Sequence, residues 1–141
     1  MPKTYSFTRD PDGDPPNNLL NYGYAVLRAA MSRAVVSSGL HPALGLHHQN
    51  QYNPFCLADD LMEPYRPFID TAVRKAALEE SLDDSLTKKL KAALIGALTV
   101  DCMMNGERKP LVNAMTVTSR SVATCLQGEA DVIQYPSFHA A

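Results

Sequence analysis

A chain of 141 residues supports one domain around one core and is too short for two independent ones. With 45% of its residues hydrophobic, 20% charged and 7% aromatic, its composition is that of a globular protein and excludes general disorder. A net charge of −2 excludes a molecule drawn bodily onto nucleic acid by its overall field, so any such contact must come from local basic patches.

Three cysteines, Cys56, Cys102 and Cys125, are widely spaced and form no CxxC pair, which fits reduced thiols in a cytoplasm. No apolar run approaches the roughly 20 residues that span a bilayer, and Met1–Asp14 is polar where a signal peptide would be apolar. Neither export nor membrane insertion is indicated.

Residues 1–16, with Asp10-Pro11-Asp12-Gly13-Asp14-Pro15-Pro16, carry the densest breaker signals and are expected to form a linker or extended arm. Their alternating aspartates lack the register and closing glutamate of an EF-hand loop. Residues 17–141 are expected to form one helical domain. Asn17 or Asn18 caps a first helix running to about Ser38, where Gly39 supplies a left-handed stop. Leu20, Tyr24, Leu27, Met31 and Val35 form its apolar stripe, and Ala25, Val26, Ala29, Ala30 and Ala34 widen it, predicting a helix buried on most sides.

From Leu40 to Leu57 the chain is polar and punctuated by Pro and Gly, the signature of a functional loop. Leu61, Tyr65, Phe68, Ala72 and Ala76 then predict a second helix from near Asp59 to near Glu80, its start made irregular by Pro64 and Pro67. A third helix follows Ser85, with Leu86, Leu90, Ala93, Leu94 and Ala97 inward and Lys88, Lys89 and Lys91 outward. Asn105-Gly106 predicts a short hairpin over 100–112. A last helix begins at about Pro110, shows Leu111, Met115, Thr118, Val122 and Cys125 on one face, and stops at Gly128. Asp131 to Ala141 is a tail. The fold expected is mainly α, with about four to six helices and one β-hairpin.

Chemistry concentrates in His47-His48 and in Asp59-Asp60-Leu61-Met62-Glu63. Asp60 and Glu63 are three apart, so on a helix their carboxylates share a face and can converge on one cation, with His48 arriving from the preceding loop. One imidazole and one or two carboxylates completed by water suit Mn²⁺ or Mg²⁺ better than structural zinc. Arg66, one turn past Glu63, could reach a phosphate on the same face. The plain alternative stands beside this reading: acids at a helix start favour the helix dipole, and adjacent loop histidines are commonly surface residues. For Arg28 and Arg33 on the first helix, surface solubility is the simpler role.

Three blocks, Asn18-Leu19-Leu20-Asn21-Tyr22-Gly23-Tyr24-Ala25-Val26-Leu27, Gly39-Leu40-His41-Pro42-Ala43-Leu44-Gly45-Leu46-His47-His48 and Leu57-Ala58-Asp59-Asp60-Leu61-Met62-Glu63-Pro64-Tyr65-Arg66-Pro67, together resemble the CRISPR-associated spacer-acquisition integrase family, in its order and spacing and particularly in its type II branch. The likeness extends more weakly to about Phe138. It implies a helical catalytic domain that binds Mn²⁺ or Mg²⁺ and inserts short foreign DNA into a CRISPR array. His48 and Glu63 map onto metal ligands and Asp60 onto an auxiliary acid, with His47 the alternative histidine; Arg66 and Arg28 are the expected DNA contacts. The implied partners are spacer-precursor and repeat DNA, a second copy of the intact integrase, a small ferredoxin-like CRISPR protein and, in the type II branch, the effector nuclease and a DNA-end-binding protein. The family's first ligand glutamate lies upstream of the first block, preceded by a β-domain, and residues 1–16 contain no glutamate. The chain is therefore expected to be a fragment lacking that ligand and the β-domain. The alternative is a helical interaction module without catalytic activity.

Overall fold

The structure, a computed structural model, describes residues 17–44, 52–79 and 88–138. Five α-helices and one hairpin follow in chain order among them: α1 (Asn17–Ser37), α2 (Cys56–Met62), α3 (Arg66–Glu79), α4 (Lys88–Gly96), β1 (Asp101–Met104), β2 (Glu107–Pro110) and α5 (Leu111–Leu126). Single 3-10 turns, Glu63–Tyr65 and Ala97–Thr99, join α2 to α3 and α4 to β1. The mainly helical expectation holds, hairpin included.

Helix α1 is the axis of the domain, packing against α2, α3, α4 and α5. Leu19, Leu27, Met31 and Val35 are wholly buried on it, whereas Ala25, Ala29, Arg33 and Val36 face solvent. Ala34 is buried beside the stripe and Ala30 packs partly against the core, but Ala25 and Ala29 do not extend it. The four neighbouring helices leave one strip of α1 open, and Ala25 and Ala29 lie on it. Gly39, at φ 80°, ends α1 as predicted, with the Leu40 N–H closing back onto the Val35 carbonyl at 3.0 Å.

Gly23 sets the α1–α3 approach. A Cβ there would stand 2.6 Å from Ile69 Cγ2 and 3.9 Å from Leu94 Cδ2, so the absence of a side chain lets α3 and α4 close on the axis. Around that contact Leu61, Tyr65, Ile69, Val73, Leu94, Leu111, Met115 and Val122 complete the core.

The expected single helix over 59–80 is two helices. Pro64 has no N–H to donate to the Asp60 carbonyl, and its ring crowds that turn, so the α-helical ladder stops at Met62. The chain tightens through Glu63–Tyr65, where the Arg66 N–H returns to the Glu63 carbonyl, and α3 begins with Pro67 inside its first turn. Helix α2 also starts three residues before the predicted Asp59, at Cys56.

Residues 80–87 lie outside the described part, and with them the start of the third predicted helix. Leu90, Leu94 and Ala97 are buried as expected, but Ala93 is exposed. In the hairpin, Asn105 at φ 54° and Gly106 at φ 79° form the two-residue turn with both central residues left-handed that suits strand twist. Cys102 and Met104 alternate inward along β1. The tail is docked rather than loose: the Ser137 N–H bonds the Met103 carbonyl at 2.8 Å, Asn105 Nδ2 donates to Gln134 Oε1 at 2.9 Å, and Phe138 meets Phe68 edge-on at 5.1 Å.

Candidate metal and nucleic-acid site

Every residue of α2 is buried, including Asp59 (8% exposed) and Asp60 (9%). Two adjacent acids in a short helix packed between α1 and α5 require compensation, because a buried carboxylate without partners is strongly destabilising. For Asp59 the compensation is complete. Arg28 Nε donates to Oδ1 at 2.7 Å and Nη2 to Oδ2 at 3.0 Å, a bidentate fork, while Asn53 Nδ2 adds a bond to Oδ2 at 2.9 Å. The Arg28 guanidinium also lies over the Phe55 ring, 5.2 Å from its centroid.

The charge of Asp60 acts on a different neighbour. Tyr135, carried by the docked tail, is held above the usual tyrosine range first by burial and then by the negative charge of Asp60. Glu63 follows α2 with backbone angles still helical (φ −51°, ψ −46°), which preserves the three-residue spacing to Asp60. Their surroundings differ: the Glu63 side chain is 48% exposed, with Oε1 3.1 Å from Arg66 Nη2. Arg66 in turn lies over the Tyr24 ring at 5.0 Å, and the Tyr24 hydroxyl donates to Asp70.

His48 and His47 fall outside the described residues, so the expected convergence of His48 on Glu63 does too. The chain on either side of them is described. The Leu57 N–H bonds the Pro42 carbonyl at 2.6 Å, and Asn53 is tied to Asp59, so both ends of the histidine-bearing stretch meet at the start of α2. Among the described residues no three or more His, Cys, Asp or Glu side chains group as a cation cage. The two carboxylates at the α2 terminus are hard oxygen donors of the kind Mg²⁺ and Mn²⁺ take, and are by themselves an incomplete set.

Both expected DNA contacts are engaged within the protein, Arg28 by Asp59 and Arg66 by Glu63. Asp59 and Asn53 are the residues that sequence reasoning passed over. Asp59 belongs to the acidic run, but nothing local says that it faces an arginine 31 positions earlier rather than the cation.

Among the described residues these elements form a helical assembly whose acidic helix α2 is sunk against a central helix, with Arg28 paired to its Asp59 and Arg66 to Glu63 beside it. The family model for CRISPR associated protein Cas1 matches residues 3–101, and the chain belongs to that family. It is 47% identical over 92 residues to the CRISPR-associated endonuclease Cas1 of Neisseria meningitidis serogroup C, a match covering 65% of this chain and 30% of that protein. It is 34% identical over 120 residues to a CRISPR-associated endonuclease Cas1 of Pyrobaculum aerophilum, covering 84% of this chain and 40% of the relative. Among solved structures, a casposase bound to integration product superimposes with a TM-score of 0.75 at 27% identity, over 94% of this chain and 44% of the casposase. The chain thus spans less than half the length of these proteins.

Proposed function

We propose that this chain is the helical, metal-binding half of a divalent-metal-dependent DNA endonuclease and integrase of CRISPR adaptation, joining short foreign DNA to the array by phosphodiester transesterification. Membership of the Cas1 family carries the reading; the relatives named as endonucleases and the casposase held on an integration product support it. In this reading His48 and Glu63 hold Mn²⁺ or Mg²⁺ and Asp60 orients water beside them. When bound, such an ion neutralises phosphoryl charge and activates the attacking oxygen.

The chain's own groups do the positioning. A guanidinium carries five N–H donors, so the fork on Asp59 leaves Arg28 donors for a phosphate, and Arg66 offers a second contact beside Glu63. Burial of α2 holds Asp60 rigidly, which matters because displacement of a reacting group by about 1 Å can cost on the order of a hundredfold in rate. With one imidazole and two carboxylates, the chain alone binds the ion weakly and integrates poorly. The proposed working partners are spacer and repeat DNA, a second integrase copy and a small ferredoxin-like adaptation protein, in the cytoplasm. No helix among the described residues is long and apolar enough to cross a membrane.

A chimaera tests the reading: the 92-residue stretch of this chain that aligns with the Neisseria relative replaces its counterpart there. The expected result is Mn²⁺-dependent integration of a short duplex into a repeat, abolished by His48→Ala or Glu63→Ala. Activity untouched by both substitutions would refute the assignment.

A further inference from the structure

We propose that Asp59 is a positioning residue: with Arg28 and Asn53 it pins the start of α2 to α1 and to the returning end of the histidine-bearing stretch, and so sets the register of the cation site. The inference rests on the His48 and Glu63 reading above and adds to it a residue that touches neither cation nor DNA.

Three independent ties meet at this carboxylate. Arg28 reaches it from the middle of α1 with two nitrogens, at 2.7 and 3.0 Å, a planar match that fixes orientation as well as distance. Asn53 reaches it from the preceding stretch at 2.9 Å, while its own Oδ1 accepts from the Phe55 N–H at 2.9 Å and its carbonyl accepts from Cys56 Sγ–H at 3.4 Å. The Phe55 ring stacks on the Arg28 guanidinium and adds a contact that holds it in place. The fourth tie is on the backbone, where the Asp59 N–H bonds the Phe55 carbonyl at 2.8 Å.

Helix α2 needs such an anchor. It has seven residues, its first residue is preceded by Phe55 with no side-chain cap, and Pro64 cuts the ladder just beyond its end. A helix of two turns has little intrinsic stability, so its direction is set by what grips it. Asp60 and Glu63 follow Asp59 by one and four residues on the same rigid backbone, and Asn53 follows His48 by five. One carboxylate therefore connects the two chain segments that carry the proposed ligands to the central helix. Hydrogen-bonded groups that orient ligands in this way typically change metal affinity about 10- to 100-fold when removed.

The test is Mn²⁺ affinity of the purified chain, read from water-proton relaxation, beside its thermal midpoint. Asp59→Asn should weaken Mn²⁺ on the order of tenfold. Thr118→Val, a core control that loses the Tyr65 contact, should lower the midpoint and leave Mn²⁺ affinity unchanged. Arg28→Lys should retain more affinity than Arg28→Ala, and it keeps the proposal testable if Asp59→Asn fails to fold. Loss of affinity in His48→Ala and Glu63→Gln but not in Asp59→Asn or Arg28→Ala would overturn the positioning role and leave the site reading standing. Loss in Asp59→Asn alone would make Asp59 a ligand and overturn it as well. No effect of any substitution would remove the site reading and this inference together.

Discussion

Gly23→Ala would test the packing that brings α3 against the central helix. The new Cβ would meet Ile69 Cγ2 at 2.6 Å, well inside ordinary carbon contact, and Leu94 Cδ2 at 3.9 Å, at ordinary contact. Ile69 is wholly buried and β-branched, so its Cγ2 cannot swing away without turning the side chain out of its packed rotamer. Overpacking of this kind costs about 1–3 kcal/mol, while Ala in place of Gly inside a helix returns roughly 1 kcal/mol. The difference is about 0–2 kcal/mol, and an approach of 2.6 Å to a wholly buried side chain puts it at the upper end, which for a domain of this size lowers the thermal midpoint by up to about 8 °C. Calorimetry of the single variants and of Gly23→Ala/Ile69→Ala gives the assay. Ile69→Ala alone should cost roughly 2–5 kcal/mol, and the double variant less than the sum because the clash disappears with Cγ2. A Gly23→Ala protein as stable as the parent, or strictly additive changes, would refute the close-approach argument.

Other consequences follow from particular contacts. Arg28→Ala should destabilise by about 2 kcal/mol, below the roughly 3–5 of a fully buried pair because its side chain is 44% exposed and water can partly replace it on Asp59; urea unfolding measures this. The buried Tyr65 hydroxyl shares a 2.6 Å hydrogen bond with Thr118, and burial pushes its ionisation well above the ordinary 10.0. Since the folded value is raised, the unfolded chain releases its proton first, and stability should fall as pH rises above about 10. Tyr65→Phe should flatten that alkaline decline in melts followed against pH. Phe138→Ala should release the tail from Phe68, costing about 1 kcal/mol and speeding hydrogen exchange at the Ser137 amide.

What the sequence could reveal was local. The apolar stripe of α5 appears in the structure as Leu111, Met115, Thr118 and Val122, all buried, with Cys125 half-buried near the helix end, because helical period alone fixes which residues share a face. The Asn105-Gly106 turn was legible for the same reason, two adjacent residues suited to positive φ. Pro64 signalled an irregular start; that it divides one helix into two depends on the backbone tightening around Glu63–Tyr65. The docking of residues 134–138 carried no periodic signal, since its bonds run to Met103, Asn105 and Ser121 far away in the chain. Within the site, the spacing of Asp60 to Glu63 was legible and their unequal burial was not. Arg28 read as a solvent-facing cation, because its partner is chosen by the crossing of α1 and α2 rather than by any neighbour in sequence.

The central claim, that this domain holds a divalent cation at the α2 terminus, is tested most directly by titrating Mn²⁺ into isotope-labelled protein and mapping the paramagnetic broadening of backbone amides. The account predicts broadening centred on His48, Asp60 and Glu63, absent in Glu63→Gln. Broadening centred on the exposed acids of the hairpin, Asp101 and Glu107, with the α2 terminus unaffected, would contradict it.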